Sequence, residues 1–458
     1  MTELLQQLRD IVSERHALHG DDIGEDYGHD ECLNVDAVKP SFVVRPDSAQ
    51  QVARVLQLAD QHRVPVTVRG AGTGLSGACV PDADGIVIST ERFKQIEIDV
   101  DNHVAVLGPG VTLGELDEAT APHGLCYPIQ PGESTASIGG NVATNAGGMR
   151  AVKYGVTRHQ VLGMQMVLPT GEILESGGKF VKASSGYDLT QLVVGSEGTL
   201  AVVTRIIVKL VPRLAHRATL VAPFGGLDSI TKAVPKLVQS GATPLFVEYL
   251  DGLGMAGACK RGGVSLGLSD EIKKAASAYL LIVVEGSSGE RVQADVERLG
   301  EVCMEHDAID VFMLPSSKAT QLIEGREQAF WAGKASGMSD QLDVVVPRAS
   351  LTEFMNEVHV ISQEEEVLLT GTGHAGDGNV HLGVFQPDDT KRNAALERVF
   401  DLGQRLGGVV SAEHGIGLAK KKYYQQREDP AKLALQRRIK AAFDPNGIMN
   451  PGRIFDLG

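Results

Sequence analysis

The sequence predicts a two-domain α+β protein, and three observations carry that expectation. The chain has 458 residues, too many for one ordinary hydrophobic core. Up to Pro212 it alternates short β-branched runs with glycine-rich loops, a pattern of strands and turns. Beyond Pro212 and Arg213 the runs lengthen and helical stretches separate them, which reads as an α+β domain on a large antiparallel sheet. The expected division is 1–212, 213–410 and a segment 411–458 that returns to the first domain.

Each element has a local reason. Residues 1–38 read as a leading helix and a loop. Pro46, Asp47 and Ser48 open a helix whose apolar residues Val52, Val55, Leu56 and Leu58 keep helical spacing until Val64 and Pro65 end it. Strands are expected at 66–68, 86–88, 104–107, 161–168, 192–194 and 200–210. In the second domain, 217–222, 245–250 and 279–285 read as strands, and 227–240 and 288–306 as helices. A helix rich in Lys and Arg is expected around 430–442.

Composition excludes several classes. Apolar residues make up 43% and charged residues 22%, which argues against disorder. A formal charge of −15 argues against a nucleic-acid surface, because phosphate binding needs a basic footprint. The 5 cysteines (Cys32, Cys79, Cys126, Cys259 and Cys303) contain no C-x-x-C pair, which argues against a disulfide scaffold and an iron–sulfur cluster. No segment approaches the roughly 20 apolar residues of a membrane span, and the opening residues have no apolar signal region. The expected location is cytoplasmic, at most peripheral to a membrane through a partner.

One segment points to chemistry. His374 and His381 flank Asp377 and Gly378, a tight hairpin signal, and Glu413 and His414 follow about thirty residues later. Two imidazoles and a carboxylate are ligands that divalent transition metals accept, and three protein ligands leave a coordination position open. That makes His374, His381 and Glu413 candidate metal ligands, with His414 beside them as a catalytic base. His29, His123, His159, His216 and His306 lack such neighbours and read as surface or packing histidines.

Glycine-rich loops point to a large cofactor. Residues 69–77 contain a formal G-x-G-x-x-G at 72, 74 and 77, yet Pro81 and the strand at 86–88 leave no room for the helix a Rossmann loop must open. Successive glycines still expose backbone N–H groups to a pyrophosphate, and Thr73 and Ser76 add hydroxyls. A second loop, 131–148, holds 5 Gly, 4 Ser/Thr and 2 Asn. A third close-approach point lies at Gly195, Ser196, Glu197 and Gly198.

Taken together, 69–77, 131–148, Lys153-Tyr154-Gly155, 195–200, 374–381, Glu413-His414-Gly415 and Asn450-Pro451-Gly452 resemble the FAD-linked oxidases that share their FAD domain with vanillyl-alcohol oxidase. Within that family the chain is similar to the D-lactate, glycolate and D-2-hydroxyglutarate dehydrogenase branch. The resemblance implies a two-part FAD-binding domain and an α+β substrate domain. It implies FAD contacts from Arg69, Gly70, Ala71, Gly72, Thr73, Gly74, Leu75 and Ser76. It adds Pro131, Thr135, Ser137, Gly139, Gly140, Asn141, Asn145, Gly148, Tyr154, Gly155, Glu197, Gly198 and Asn450. It also implies the ligand set His374, His381 and Glu413 for zinc, manganese or iron, with His414 as base. The first loop has no histidine to tether a flavin, so non-covalent FAD is expected.

The expected reaction is oxidation of a D-2-hydroxy acid to the 2-oxo acid, with hydride transfer to FAD and electrons passed on. Electron-transfer flavoprotein, a quinone system, partner subunits or oxygen are the acceptors considered. Two departures concern the substrate. Leu382 and Gly383 stand where D-2-hydroxyglutarate enzymes have Asn, and Lys334 is the cation nearest Trp331 where the branch has Arg. Lys334 is therefore the first candidate for the substrate carboxylate, with Arg326 and Arg348 as others. An ether-lipid-synthase-like enzyme without net redox and a non-catalytic FAD-binding subunit are the alternatives.

Overall fold

The computed structural model describes residues 2–457. The chain divides into two compact units, Met1–Gly147, Val156–Arg213 and Glu413–Gly458 forming one, Gly148–Gly155 and Leu214–Ala412 the other.

The first unit is built from short Val- and Ile-rich strands, residues that fill a pleated, half-buried surface. Ala17–His19, Phe42–Val44, Ile86–Ser89 and Val66–Arg69 form a 4-stranded sheet in that order. Its last three strands are parallel. The helix Ala49–His62 covers it, capped by the Ser48 hydroxyl. Val52, Val55 and Leu56 meet Val44, Val66, Ile86 and Ile88 in one core, joined by Ile448 and Met449 from the C-terminal segment. Each such fully buried aliphatic side chain contributes about 1.5–3 kcal/mol. A 5-stranded antiparallel sheet follows, ordered Ile96–Asp99, Val104–Leu107, Val202–Lys209, Val161–Val167 and Ile173–Gly177.

Two segments differ from their sequence reading. Residues 192–194, expected as a strand, are the end and C-cap of the helix Leu189–Val193, which starts because Asp188 accepts from Gln191 N. Loop 131–148 contains the short helix Ile138–Thr144, capped by Ser137 and ended by Asn145 in the left-handed region. Gly139 hides that helix from propensity, but a Cβ there would lie 2.6 Å from Pro109 Cβ. Close packing requires the glycine.

The second unit carries the large antiparallel sheet. Its 7 strands run Phe312–Leu314, His216–Phe224, Ala278–Gly286, Phe246–Asp251, Leu368–His374, Asn379–Phe385 and Asp340–Val345. Ala278–Gly286 is apolar almost throughout, with Leu280, Leu281, Ile282, Val283 and Val284 all buried. A strand loses its polar alternation when both its faces are covered. Helices Leu227–Gln239, Gly289–Glu305, Gly252–Arg261 and Ser316–Glu327 pack on strands of this sheet or on one another. Among the described residues no helix is long and apolar enough to cross a membrane.

Candidate active site

In the second unit, four neighbouring strands set four ionisable side chains in a row. Glu248 pairs with His374 across Phe246–Asp251 and Leu368–His374. On the next two strands His381 pairs with Asp343. The apolar runs around these residues pull the strands into the core and carry the polar groups with them. All four are buried, Glu248 and Asp343 at 0% exposure. The hairpin differs in detail from its reading: His374 pairs with Asn379, so the turn holds residues 375–378 rather than two. Gly378 is obligatory there, at φ +87 and with a Cβ position 2.2 Å from Val346 O.

Buried polar groups at this density must satisfy one another. His374 Nδ1 donates to Glu248 Oε1 at 2.5 Å. The other oxygen of Glu248 lies 2.8 Å from Arg326 Nε. Burial pushes the Glu248 carboxyl up, but the neighbouring His374 and Arg326 outweigh it and hold it below the usual range. An ionised Glu248 fixes the tautomer, so His374 Nε2 presents a lone pair. That nitrogen faces His381 Nε2 at 3.0 Å. Two nitrogens each about 2.0–2.1 Å from one cation at adjacent positions stand roughly that far apart, so the pair fits a divalent metal.

Asp343 holds the far end of the row. It accepts from Asn379 Nδ2 at 2.9 Å, Ser411 Oγ at 2.8 Å and Ala412 N at 3.0 Å. Glu413 and His414 follow Ala412 directly. Within the same unit, Asp343 Oδ1 lies 3.6 Å from His381 Nδ1. Of the expected ligands, His374 and His381 meet in this row, whereas Glu413 and the expected base His414 open the C-terminal part of the first unit. Asp343 is an addition, beside His381. With three hydrogen bonds already accepted, Asp343 is better suited to orient than to ligate.

The first unit draws its glycine-rich loops together. The Ser137 hydroxyl accepts from Ala71 N and Gly140 N, both at 3.2 Å, and joins the first two loops. A Cβ at Gly70 would fall 2.2 Å from that hydroxyl. The third loop docks through Gly195 N to Val142 O and Glu197 N to Ala143 O. Asn450 Nδ2 donates to Ala78 O and Glu197 O. Glu197 accepts from Ile416 N at 2.8 Å and Gly417 N at 2.7 Å. Burial still pushes its carboxyl up to about 7. Ser76 Oγ, Asn141 Nδ2, Lys420 Nζ and Asn450 Oδ1 are buried here without hydrogen-bond partners. Such orphans await a polar ligand, and a polyhydroxylated, phosphate-bearing cofactor such as FAD fits them.

Other expected contacts are engaged differently. Arg69 donates to His29 O and braces the loop from behind. Thr135 is exposed and donates to Glu133. Gly148, Tyr154 and Gly155 belong to the second unit, where Tyr154 donates to Glu285 Oε1 at 2.7 Å. Lys334 lies with its ammonium 5.4 Å from the centre of the Trp331 ring. Arg348 donates to Gly376 O. Sequence reading missed Glu248 and Asp343. Their signal was there: each is a lone carboxylate within a run such as Phe246-Val247-Glu248-Tyr249-Leu250 that otherwise has no charge.

Comparison with known proteins gives the class first. Residues 40–177 match the FAD binding domain model, and residues 213–454 match the model for the C-terminal domain of FAD linked oxidases. The chain belongs to the FAD-linked oxidase family. It is 48% identical to an uncharacterized FAD-linked oxidoreductase of Mycobacterium tuberculosis, over 99% of both chains. It is 35% identical to a D-lactate dehydrogenase of Anaerostipes hadrus, over 99% of this chain and 97% of that one. It is likewise 35% identical to the glycolate oxidase subunit GlcD of Bacillus subtilis, over 91% and 89%. Among solved structures, p-cresol methylhydroxylase with substrate bound superposes with a TM-score of 0.80 at 18% identity, over 100% of this chain and 97% of that one. The expected vanillyl-alcohol oxidase type of fold holds.

Proposed function

We propose that this protein oxidises a D-2-hydroxy acid of the D-lactate or glycolate kind to the 2-oxo acid, using non-covalent FAD and a divalent cation such as zinc. The observation that carries the reading is the buried carboxylate–imidazole row Glu248, His374, His381 and Asp343. Names of relatives at 35% identity support the substrate class. When bound, FAD supplies the hydride acceptor and the cation polarises the substrate hydroxyl.

The chain's own residues do the rest. Glu248 holds His374 in the tautomer that leaves Nε2 available to the cation, and His381 and Glu413 complete the set. His414 would take the hydroxyl proton onto its imidazole as the Cα hydride departs. Arg326 takes the substrate carboxylate in preference to Lys334. Its Nη2 is buried beside the histidine row without a hydrogen-bond partner, whereas Lys334 lies over Trp331. A guanidinium fork also matches a carboxylate better than an ammonium does. The electrons leave to an external acceptor, an electron-transfer flavoprotein, a quinone system or partner subunits.

Anaerobic mixing with a panel of D- and L-2-hydroxy acids tests this. The expected result is loss of the flavin band near about 450 nm with D-acids only. No bleaching by any 2-hydroxy acid in metal-replete protein would remove the proposal.

A further inference from the structure

The chain buries two lysines in its first unit, and they are treated differently. Lys440 is 3% exposed and donates to Thr199 O at 2.6 Å, Met449 O at 2.8 Å and the Asp444 carboxylate. Its ammonium is fully matched. Lys420 is 4% exposed, yet its Nζ has no hydrogen-bond partner and forms no ion pair. An ammonium withdrawn from water without compensation is costly, and folds keep one buried only where a partner completes it.

Lys420 lies at the end of the glycine loop. Leu418 N and Ala419 N donate to Ser76 O at 3.0 and 3.1 Å, and Lys420 N donates to Ile416 O. The segment is therefore stitched to the residues whose backbone is suited to a pyrophosphate. The Ser76 hydroxyl, itself at 0% exposure, is also without a partner. Glu197 is the carboxylate close enough to feel the Lys420 charge, but its two oxygens are taken by Ile416 N and Gly417 N. A cation and a hydroxyl, on two segments joined by backbone hydrogen bonds, thus each lack an acceptor from the protein.

We propose that Lys420 is a cofactor-binding residue whose ammonium pairs with a phosphate oxygen of the bound dinucleotide, with the Ser76 hydroxyl as its companion donor. The pyrophosphate is the one formally anionic part of FAD, and only an anion offsets a buried ammonium fully. The inference rests on FAD as cofactor and not on the identity of the substrate. It is read by binding alone, so its failure leaves the 2-hydroxy acid reading intact, and the reverse.

Apoprotein of wild type, K420M and K420R is titrated with FAD, following flavin fluorescence. K420M should bind FAD about tenfold to a hundredfold more weakly, and K420R should recover most of the affinity. Inorganic pyrophosphate should compete with FAD on the wild type and not on K420M. A K420M protein that binds FAD as the wild type does would overturn the proposal, as would K420R failing along with K420M. If K420M does not fold, competition on the wild type decides: pyrophosphate that fails to displace FAD refutes the pairing.

Discussion

At the scale of single residues, Glu248 and His414 do different things to the same row. Glu248 acts through His374, whose Nδ1 it holds at 2.5 Å. Replacing such an outer partner loosens the ligand without deleting it, so Glu248→Gln should weaken divalent-cation affinity about 10–100-fold, measured against a competing chelator. His414→Ala should leave flavin content unchanged and slow flavin reduction by substrate about 10²–10⁴-fold. Loss of metal from that variant at normal flavin content would make His414 a ligand rather than the base. Glu197 sets a pH dependence. Its folded-state carboxyl titrates near about 7 because burial outweighs two N–H donors, whereas an unfolded glutamate titrates near ~4.3. A raised pKa means that the folded state holds the proton more tightly. The stability tied to Glu197 is therefore full below ~4.3 and lost as pH rises through about 7. Apoprotein melting temperature should fall between these values, and Glu197→Gln should flatten the slope.

At the scale of elements, the hairpin was legible and its neighbours were not. Asp377 and Gly378 announce a turn because few residues accept φ +87, and the histidines on both sides mark its use. Gly378→Ala places a Cβ against Val346 O and strains the backbone. A loss of about 1–3 kcal/mol in urea denaturation is expected, with loss of metal binding. Which strands flank the hairpin is set by pairings across more than a hundred residues, Glu248 with His374 for one. No local pattern encodes that. The helices Ile138–Thr144 and Leu189–Val193 were invisible for another reason. The first carries glycines that propensity counts against a helix but packing demands, and the second is a short run that reads equally well as strand. Glycine loops, by contrast, carry their purpose in composition, and all three converge as expected of a cofactor cradle. Their anchors, Ser137 and residues 416–420, come from packing.

At the scale of the whole molecule, one chain builds two units, with the glycine loops in one and the histidine row in the other, while Glu413 and His414 open the C-terminal part of the first. The C-terminal segment closes the first unit through Ile448, Met449 and the buried Lys440. Each unit has its own reporter. Trp331, the chain's 1 tryptophan, lies in the second unit, while bound flavin reports on the first. A ligand stabilises what it binds by RT ln(1 + [L]/Kd), about 2.7 kcal/mol at a hundredfold excess over Kd. Stripping the cation removes that term from the histidine row. Excess FAD acts on the glycine loops. Thermal unfolding should therefore show the Trp331 fluorescence midpoint falling more than the flavin-release midpoint when a chelator is added. Excess FAD should raise the flavin-release midpoint more than that of Trp331. Equal movement of both signals by both ligands would mean that the chain unfolds as one cooperative body. A chelator that moved flavin release alone would take the cation away from the histidine row.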